Sequence, residues 1–189
     1  HGGGVVSDMA GFAAAILLRG VRWISVPTTL LSMADAAIGG KTGVDLGPAK
    51  NAAGAFHQPS GVVIDVRHVA TETPRAFTSG LAEIAKAGAI ADPALIALLE
   101  AAAAAVGSTG GRPAGMDALH PRLSTDVAFL EEAVFRAAAV KARIVALDER
   151  ESGPRALLNF GHTLGHALGA AGGFERWPHG EAVALGMVG

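Results

Sequence analysis

The sequence contains no cysteine, few aromatic residues and no cluster of basic residues. Without cysteine, it has no disulfides, thiolate metal ligands or cysteine nucleophiles, and a reducing compartment, the cytoplasm, is the expected location. Aromatic residues make up 5% of the 189 residues and the formal net charge is −2, so nucleic acid is not an expected partner. No apolar run approaches the roughly 20 residues that span a bilayer, so no membrane segment is expected.

The chain is nevertheless rich in apolar residues, at 50%, which is enough for a substantial core. Strand and helix patterns alternate at 9–19, 21–26, 30–37 and 61–65. They predict part of a Rossmann-like α/β domain with a parallel sheet over residues 1–69, in which 39–43 forms a flexible loop. Helix patterns alone follow at 74–91, 92–106, 121–147 and 157–171. They predict a truncated all-α domain over residues 70–189, with a surface loop or insertion at 107–113.

Three histidines stand close together near the end of the chain, in RALLNFGHTLGHALGA (Arg155–Ala170) and PHGEAVALGM (Pro178–Met187). His162 and His166 are four residues apart and so share one helix face, while His179 opens another helix. Polar side chains in such an apolar, glycine-rich setting need bonding partners or ligands. The pattern predicts a metal site, proton transfer, or both.

A carboxylate in GLAEIAKAG could complete this site. Glu83 and Lys86 either form an ordinary intrahelical pair, worth a few tenths of a kcal/mol, or lie buried among the apolar neighbours. A buried carboxylate needs a cation or a metal. Two histidines and a glutamate suit Zn²⁺ with a fourth position left open for substrate.

Several polar residues of the first third are candidates for anion binding. The glycines before the first helix suit close approach by a phosphate, although a plain βα turn explains them equally well. Asp8 could hydrogen-bond a nucleotide or cap the helix. Either phosphate binding or solvated loop charge explains Asp35, Lys41, Lys50 and Asn51.

Charged residues also follow the longest predicted helix. Lys141 and Arg155 are candidates for binding a substrate carboxylate, since Arg155 leads directly into the histidine segment. The run Asp148–Glu151 is interpreted as a solvated face.

Taken together, the chain resembles the 3-dehydroquinate synthase family of the sugar-phosphate cyclases. The resemblance rests on the order and spacing of GGGVVSD, RGVRWISVPTTLLSMADAAIGGKTGVD, AKNAAGAFHQP, SGLAEIAKAG, DERESGPRALLNFGHTLGHA and HGEAVALGM. It implies conversion of 3-deoxy-D-arabino-heptulosonate 7-phosphate to 3-dehydroquinate and phosphate, in the shikimate pathway of aromatic amino acid biosynthesis. The implied chemistry is transient oxidation by NAD, phosphate elimination and aldol cyclisation, with Zn²⁺ or Co²⁺ as the metal.

The resemblance also implies roles for individual residues. The implied metal ligands are Glu83, His162 and His179. The implied catalytic and substrate-binding residues are Lys41, Asn51, Asp35, Lys141, Arg155, Asn159 and His166, which contacts the phosphate region and moves protons. The implied cofactor contacts are Gly3, Gly4, Asp8, Thr28, Thr29 and Lys50. Arg19 matches an arginine offered across a homodimer interface.

The chain departs from the family pattern at Ser7 and Ala49, where glycine is usual, and it lacks the family's upstream α/β and downstream helical segments. It starts at His1 without Met and stops at Gly189 within a helix pattern, so we expect an internal part of a longer protein, inactive in isolation. The alternatives are another sugar-phosphate cyclase such as a 2-deoxy-scyllo-inosose synthase, a non-catalytic fragment of such an enzyme, or a metal-dependent hydrolase. The last leaves the glycine-rich turn unexplained.

Overall fold

An α/β part with short strands precedes a helical part in the computed structural model, which describes residues 1–47, 49–109, 112–113, 115–172 and 176–189. The strands are β1 (Ile24–Ser25), β2 (Lys41–Leu46), β3 (Ala49–Phe56), β4 (Gly61–Val62), β5 (Ser108–Thr109) and β6 (Arg112–Pro113). The α-helices are α1 (Gly4–Ile16), α2 (Pro74–Ala91), α3 (Pro93–Val106), α4 (Met116–Leu123), α5 (Val127–Leu147), α6 (His162–Ala171) and α7 (His179–Val188). Shorter helical turns are Leu17–Arg19, Ser32–Ala36, Val66–Thr71 and Pro154–Asn159.

The predicted parallel sheet is confirmed, with shorter strands than the sequence suggested. Strand β1 pairs in parallel with β4, so that Ile24 lies opposite Gly61. The glycine turn extends the same layer, because the Gly2 amide donates to the Val26 carbonyl at 3.1 Å and the Thr28 amide donates to Gly2 at 3.0 Å. Helix α1 then begins at Gly4, five residues earlier than the sequence pattern predicted.

The predicted flexible loop at 39–43 is wrong for its second half, because Lys41–Leu46 forms β2 and pairs antiparallel with β3. Thr42 supports the ribbon by donating from Oγ1 to the Ala55 carbonyl at 2.8 Å. The paired positions include Gly43 opposite Gly54, where small residues let the strands approach closely. Strand propensity favours β-branched and aromatic residues, so a ribbon of glycine and alanine escapes a sequence-based prediction.

The starts of α2 and α3 confirm the predictions, and the signals lie in their caps. Thr73 accepts the Ala76 amide at 3.3 Å and Asp92 accepts the Leu95 amide at 3.3 Å, each followed by proline at the first helical position. The single helix predicted over 121–147 is wrong at its start. The chain instead breaks between α4 and α5, where Asp126 caps the Phe129 amide at 3.0 Å.

Two other helix predictions need correction at their starts or ends. The pattern at 157–171 divides into the turn Pro154–Asn159 and helix α6. In the pattern at 9–19, Leu18 and Arg19 adopt left-handed backbone conformations after α1 ends. The predicted loop at 107–113 contains the strand pair β5–β6, with Gly110 and Gly111 outside the described residues.

The core lies between the 30–36 segment and helices α2 to α5. Its largest fully buried apolar side chains are Phe77, Leu30, Met33, Ile84, Leu95 and Leu130. Leu30 and Met33 come from the α/β part, so both parts share one core. The domain boundary at residue 69 stays a prediction. No helix in the described part of the chain is both long and apolar enough to cross a membrane.

Helix α7 packs against α2 at a backbone contact without room for a side chain. A Cβ on Gly180 would lie 2.3 Å from the Ser79 Cα and 2.4 Å from the Ser79 oxygen. Gly180→Ala in the full-length protein should therefore lower the free energy of unfolding by about 1–3 kcal/mol, measured by urea titration. Gly61→Ala is the control, because nothing lies within 4 Å of its added Cβ. Equal stability of the two variants would contradict this packing.

Candidate functional site

The three histidines predicted to converge do so. The ring centroid of His162 lies 5.4 Å from that of His166 and 5.2 Å from that of His179. One ligand atom from each histidine lies within 4.8 Å of the others. The separation of four residues on α6 sets the first pair, and the start of α7 brings the third ring alongside.

The carboxylate of Glu83, on α2, lies next to this histidine cluster. Its Oε1 lies 3.1 Å from His179 Nε2 and 3.8 Å from His162 Nε2. Burial alone would raise the pKa of Glu83, but the contact with His179 and the charge of Lys86 hold it below its usual value. The group is therefore a carboxylate, as a metal ligand must be.

The orientation of His162 leaves one ring nitrogen for a ligand. Its Nδ1 lies 3.2 Å from the Phe160 carbonyl oxygen, where a proton on Nδ1 can be donated. In the tautomer that donates this bond, Nε2 faces Glu83 with a free lone pair. Burial, reinforced by the charge of Lys86, lowers the pKa of His162, so the neutral ring is favoured.

Buried charges of alternating sign extend from this carboxylate. Lys86 contacts Glu83 and lies 3.5 Å from Asp35 Oδ1, while Lys141 Nζ lies 2.9 Å from Asp35 Oδ2 and donates to the Asp35 carbonyl at 2.6 Å. Burial would raise the pKa of Asp35, yet Lys141 and Lys86 lower it well below its usual range. Burial would lower the pKa of Lys86, yet Asp35 and Glu83 raise it. For Lys141, burial wins over Asp35 and the pKa falls.

Lys86 is a residue whose importance the sequence analysis underestimated. Its side chain is only 3% exposed, and it lies between the carboxylate of Glu83, which is 1% exposed, and that of Asp35, which is 24% exposed. The signal was present in the sequence, because only apolar residues and glycine separate Glu83 from Lys86 and flank the pair. Of the two alternatives that the sequence left open, the buried pair is confirmed, since the Lys86 and Glu83 side chains are 3% and 1% exposed.

The glycine turn, Asp8 and the two threonines lie next to one another at the start of α1. A Cβ on Gly3 would lie 3.0 Å from the Thr29 side chain. Thr29 also accepts the Ser32 amide at 3.3 Å. Burial raises the pKa of Asp8 to about 6, with Lys141 opposing and Asp35 reinforcing the shift. The charges of Lys141 and Asp35 therefore act on Asp8.

Glu151 joins two of the predicted substrate residues and was not itself predicted. It forms an ion pair with Lys41 and accepts a hydrogen bond from Asn159 Nδ2 at 2.6 Å. The backbone of Glu151 has φ +59°, a conformation that is costly outside glycine. Although burial opposes the change, the bonds from Lys41 and Asn159 lower the pKa of Glu151.

Glu151→Gln should therefore release Lys41 while keeping one acceptor for Asn159. We expect kcat/KM of the full-length protein to fall about tenfold, chiefly through KM for a phosphorylated substrate, because Lys41 loses its fixed position. Steady-state kinetics test this, with Glu132→Gln, a glutamate paired with Arg136 on the surface, as control. An unchanged KM in Glu151→Gln would show that the contact does not position Lys41.

The interpretation of Asp148–Glu151 as a solvated face holds for Glu149 and Arg150, which are exposed, and is wrong for Asp148. Asp148 is buried and accepts the amides of Ser152, Gly153 and Arg155 at 2.9, 2.7 and 3.1 Å. It thereby shapes the loop that presents Glu151. The sequence could not show this, because side-chain to backbone bonds of a single aspartate leave no periodic pattern.

Arg155 is buried to 2% exposure and contacts backbone. It donates to the carbonyl oxygens of Glu149 and, at 2.8 Å, Gly39, and lies over the Phe56 ring at 5.7 Å from its centroid. The guanidinium thus ties the 148–155 loop to the β2–β3 ribbon. Its predicted substrate-binding role stays a prediction, and the observed contacts are structural.

Three other predicted residues are Asn51, Arg19 and Lys50. Asn51 has φ +49° and its amide donates to Asp45 at 2.7 Å on the exposed ribbon. Arg19 is exposed after α1. The side chain of Lys50 lies outside the part of the chain that the structure describes. The predicted roles of these residues stay predictions.

Profiles of known families match the chain over its whole length. The profile described as 3-dehydroquinate synthase N-terminal matches residues 1–79. The profile described as 3-dehydroquinate synthase C-terminal matches residues 80–189.

Curated relatives include 3-dehydroquinate synthases of Citrifermentans bemidjiense and Symbiobacterium thermophilum. The chain is 49% identical to the first over 99% of its own length and 47% of that relative. It is 50% identical to the second over 99% of its own length and 48% of that relative. The chain therefore spans about half the length of the curated relatives it matches.

Solved structures with a similar fold are sugar-phosphate cyclases. A 2-epi-5-epi-valiolone synthase from Streptomyces hygroscopicus, with NAD⁺ and Zn²⁺ bound, is 32% identical with a TM-score of 0.83, covering 98% of this chain and 48% of that one. A 2-deoxy-scyllo-inosose synthase, complexed with carbaglucose-6-phosphate, NAD⁺ and Co²⁺, is 27% identical with a TM-score of 0.77, covering 99% and 46%. These similarities confirm the predicted fold class, a partial Rossmann-like part followed by helices.

Proposed function

This chain belongs to the 3-dehydroquinate synthase family, and from that premise we propose that it supplies most of the active site of such an enzyme. The proposed reaction converts 3-deoxy-D-arabino-heptulosonate 7-phosphate to 3-dehydroquinate and phosphate. The observation that carries the proposal is the convergence of Glu83 with three histidines beside the buried charges of Lys86, Asp35 and Lys141.

The donor set at the histidine cluster fits a divalent metal such as Zn²⁺ or Co²⁺. Glu83 offers a buried carboxylate, and His162 presents a neutral nitrogen whose tautomer is fixed by a backbone carbonyl. We propose Glu83, His162 and His179 as the ligands, with His166 beside them. A bound divalent metal would polarise the substrate hydroxyl that is to be oxidised, which lowers its pKa.

The start of α1 fits a dinucleotide. Gly3 and Gly4 present backbone amides without side chains, and Thr29 lies against Gly3. We propose Gly3, Gly4, Asp8, Thr28, Thr29 and Lys50 as NAD⁺ contacts. NAD⁺ would supply the hydride acceptor that the amino acid side chains lack.

The charged residues of this chain then have distinct tasks. Lys141, which contacts Asp35, is proposed to bind substrate oxygens. Lys86 stays protonated between two carboxylates and neutralises them, so that Glu83 and Asp35 can remain ionised where water is scarce. His166 is proposed to move protons at the phosphate end of the substrate, and Lys41 and Asn159, both bonded to Glu151, are proposed to bind the substrate.

A second candidate is another sugar-phosphate cyclase, because the similar solved structures act as a valiolone synthase and an inosose synthase. Identity favours the first proposal, at about half against the 3-dehydroquinate synthases and 32% or 27% against the other cyclases. The two candidates differ in whether the substrate carries a carboxylate.

The test is phosphate release by the full-length protein. We expect release from 3-deoxy-D-arabino-heptulosonate 7-phosphate that requires both NAD⁺ and a divalent metal and stops when a chelator is added. Glucose 6-phosphate, which has no carboxylate, serves as the matched substrate control. Release from the control alone would favour the second candidate. Release from neither substrate by a folded, metal-loaded protein would reject cyclase activity on both.

Two sequence predictions about the whole protein accompany this proposal. Arg19, exposed after α1, is proposed to reach the active site of a second copy in a homodimer. A cytoplasmic location is proposed from the soluble substrate and the absence of cysteine.

A further inference from the structure

A glutamate outside the histidine site occupies the joint between the Val66–Thr71 turn and α2. Glu72 accepts the backbone amide of Leu30 through Oε1 at 3.1 Å, across 42 residues of sequence. Its other oxygen, Oε2, is buried and has no hydrogen-bond partner among the described residues. None of the roles proposed above uses this carboxylate.

The segment that Glu72 holds, Thr28–Asp35, carries residues of the proposed site at both ends. Thr28 and Thr29 lie beside the glycine turn, and Asp35 lies between Lys86 and Lys141. Within the segment the Met33 amide donates to Thr29 at 2.9 Å, so its residues form one turn of helix. A shift at Leu30 would therefore move both ends.

The amides at the start of this turn depend on side chains, because the first amides of a helix have no acceptor within it. The Ser32 amide is accepted by Thr29 Oγ1 at 3.3 Å, and the Leu30 amide by Glu72. Leu30 itself is fully buried in the core, so water does not replace a lost acceptor there.

We propose that Glu72 is a positioning residue, whose ionised carboxylate holds the Leu30 amide and thereby fixes Thr28–Asp35 in the active site. This inference rests on the proposed function, since the segment matters through Thr29 and Asp35. A leucine or glutamine would fill the same space without the free-energy cost of burying a charge. Packing alone therefore does not explain a carboxylate at this position.

Burial is the largest influence on the protonation of Glu72. Burial raises its pKa from 4.5 to about 7, and the Leu30 amide only partly opposes this. His120 of α4 meets the joint, with Nε2 lying 3.1 Å from the Glu72 carbonyl oxygen. Among the side chains that the structure describes on the packed elements, Arg67 pairs with Asp65, His68 contacts His1 and Arg75 pairs with Glu181. Arg122 of α4 donates to the Ala105 carbonyl, and Asp35 contacts the two lysines.

The sign of the pH effect follows from that raised pKa. The neutral form of Glu72 stabilises the fold below pH 4.5, and this contribution is lost as the pH rises through about 7. The hydrogen bond from the Leu30 amide instead becomes stronger as the pH rises, because only the ionised carboxylate is a charge-assisted acceptor. As the pH rises through neutrality, the stability of the fold should therefore fall while Glu72 holds the Leu30 amide more firmly.

The test compares Glu72→Gln and Glu72→Leu with the wild type in the full-length protein, and Glu131→Gln, an exposed glutamate on α5, is the control. Glutamine keeps an uncharged acceptor. The ratio of wild-type to Glu72→Gln kcat/KM should rise from near one at pH 5.5 to roughly fivefold at pH 8.5, while the Tm of wild type falls relative to the variant. Glu72→Leu should fold and lose about 10²-fold in kcat/KM, because the segment is displaced.

A ratio that is flat with pH would overturn the positioning role, even if Glu72→Leu failed to fold. So would a folded Glu72→Leu enzyme with kcat/KM close to wild type. Absence of wild-type turnover on the proposed substrate would overturn the proposed function together with this inference, whereas wild-type turnover with a flat ratio overturns this inference alone.

Discussion

Replacing His162 with alanine in the full-length protein is expected to remove bound metal and with it all measurable phosphate release. His162 is half-buried, its Nδ1 is committed to the Phe160 carbonyl, and its Nε2 faces Glu83. Of the three proposed ligands, Glu83 and His179 would remain, so the site loses one of its protein ligands. We expect metal affinity to fall by at least about 100-fold.

Metal content after dialysis, measured by elemental analysis, checks the prediction independently of activity. Thermal unfolding with and without Zn²⁺ gives a second readout, since a ligand that binds the folded state raises the Tm. His68→Ala is the matched control, because His68 lies on the Val66–Thr71 turn, away from the cluster, and contacts His1. Full metal occupancy in the His162 variant would contradict its role as a ligand.

The second large effect is expected from Lys86→Met, which removes the cation that contacts both Glu83 and Asp35 without changing the side-chain volume much. The two negative charges of Glu83 and Asp35 would then lose the positive charge of Lys86, although Lys141 still contacts Asp35. Breaking such a buried pair costs about 3–5 kcal/mol of unfolding free energy. Phosphate release should fall with it, because Glu83 loses the Lys86 charge that helps to lower its pKa, and a protonated carboxyl is a poor metal ligand.

Urea unfolding monitored by circular dichroism measures the cost. Arg136→Met is the matched control, since Arg136 bridges Asp92 and Glu132 at the surface and its loss should leave the midpoint near the wild type. Metal loading of the Lys86 variant should partly restore its stability, because a divalent ion supplies positive charge beside Glu83. A variant as stable as wild type without metal would mean that Lys86 does not stabilise these carboxylates.

The parts of the fold that could be predicted from sequence are those whose signals are local. Thr73-Pro74 and Asp92-Pro93 combine a capping side chain with proline in the first turn, and both helices begin where these pairs predict. The histidine cluster was equally accessible, because a separation of four residues on a helix places two rings together whatever surrounds them.

What could not be predicted depends on contacts between distant residues. Lys86 and Asp35 are 51 positions apart, and Glu151 meets Lys41 across 110 positions, so no window of sequence contains either pair. The ribbon of β2 and β3 was missed for a different reason. Its glycine and alanine residues carry little strand propensity, and only pairing with each other holds them extended.

The helices that carry the histidines pack backbone against backbone, and this limits how the site can be redesigned. A Cβ on Gly186 would lie 2.1 Å from the Gly161 oxygen, and one on Gly165 would lie 3.0 Å from the Ala182 oxygen. Larger residues cannot be used there to widen or narrow the separation of the rings. A change of metal preference therefore requires exchange of the ligands themselves, because the distance between α6 and α7 is fixed by these backbone contacts.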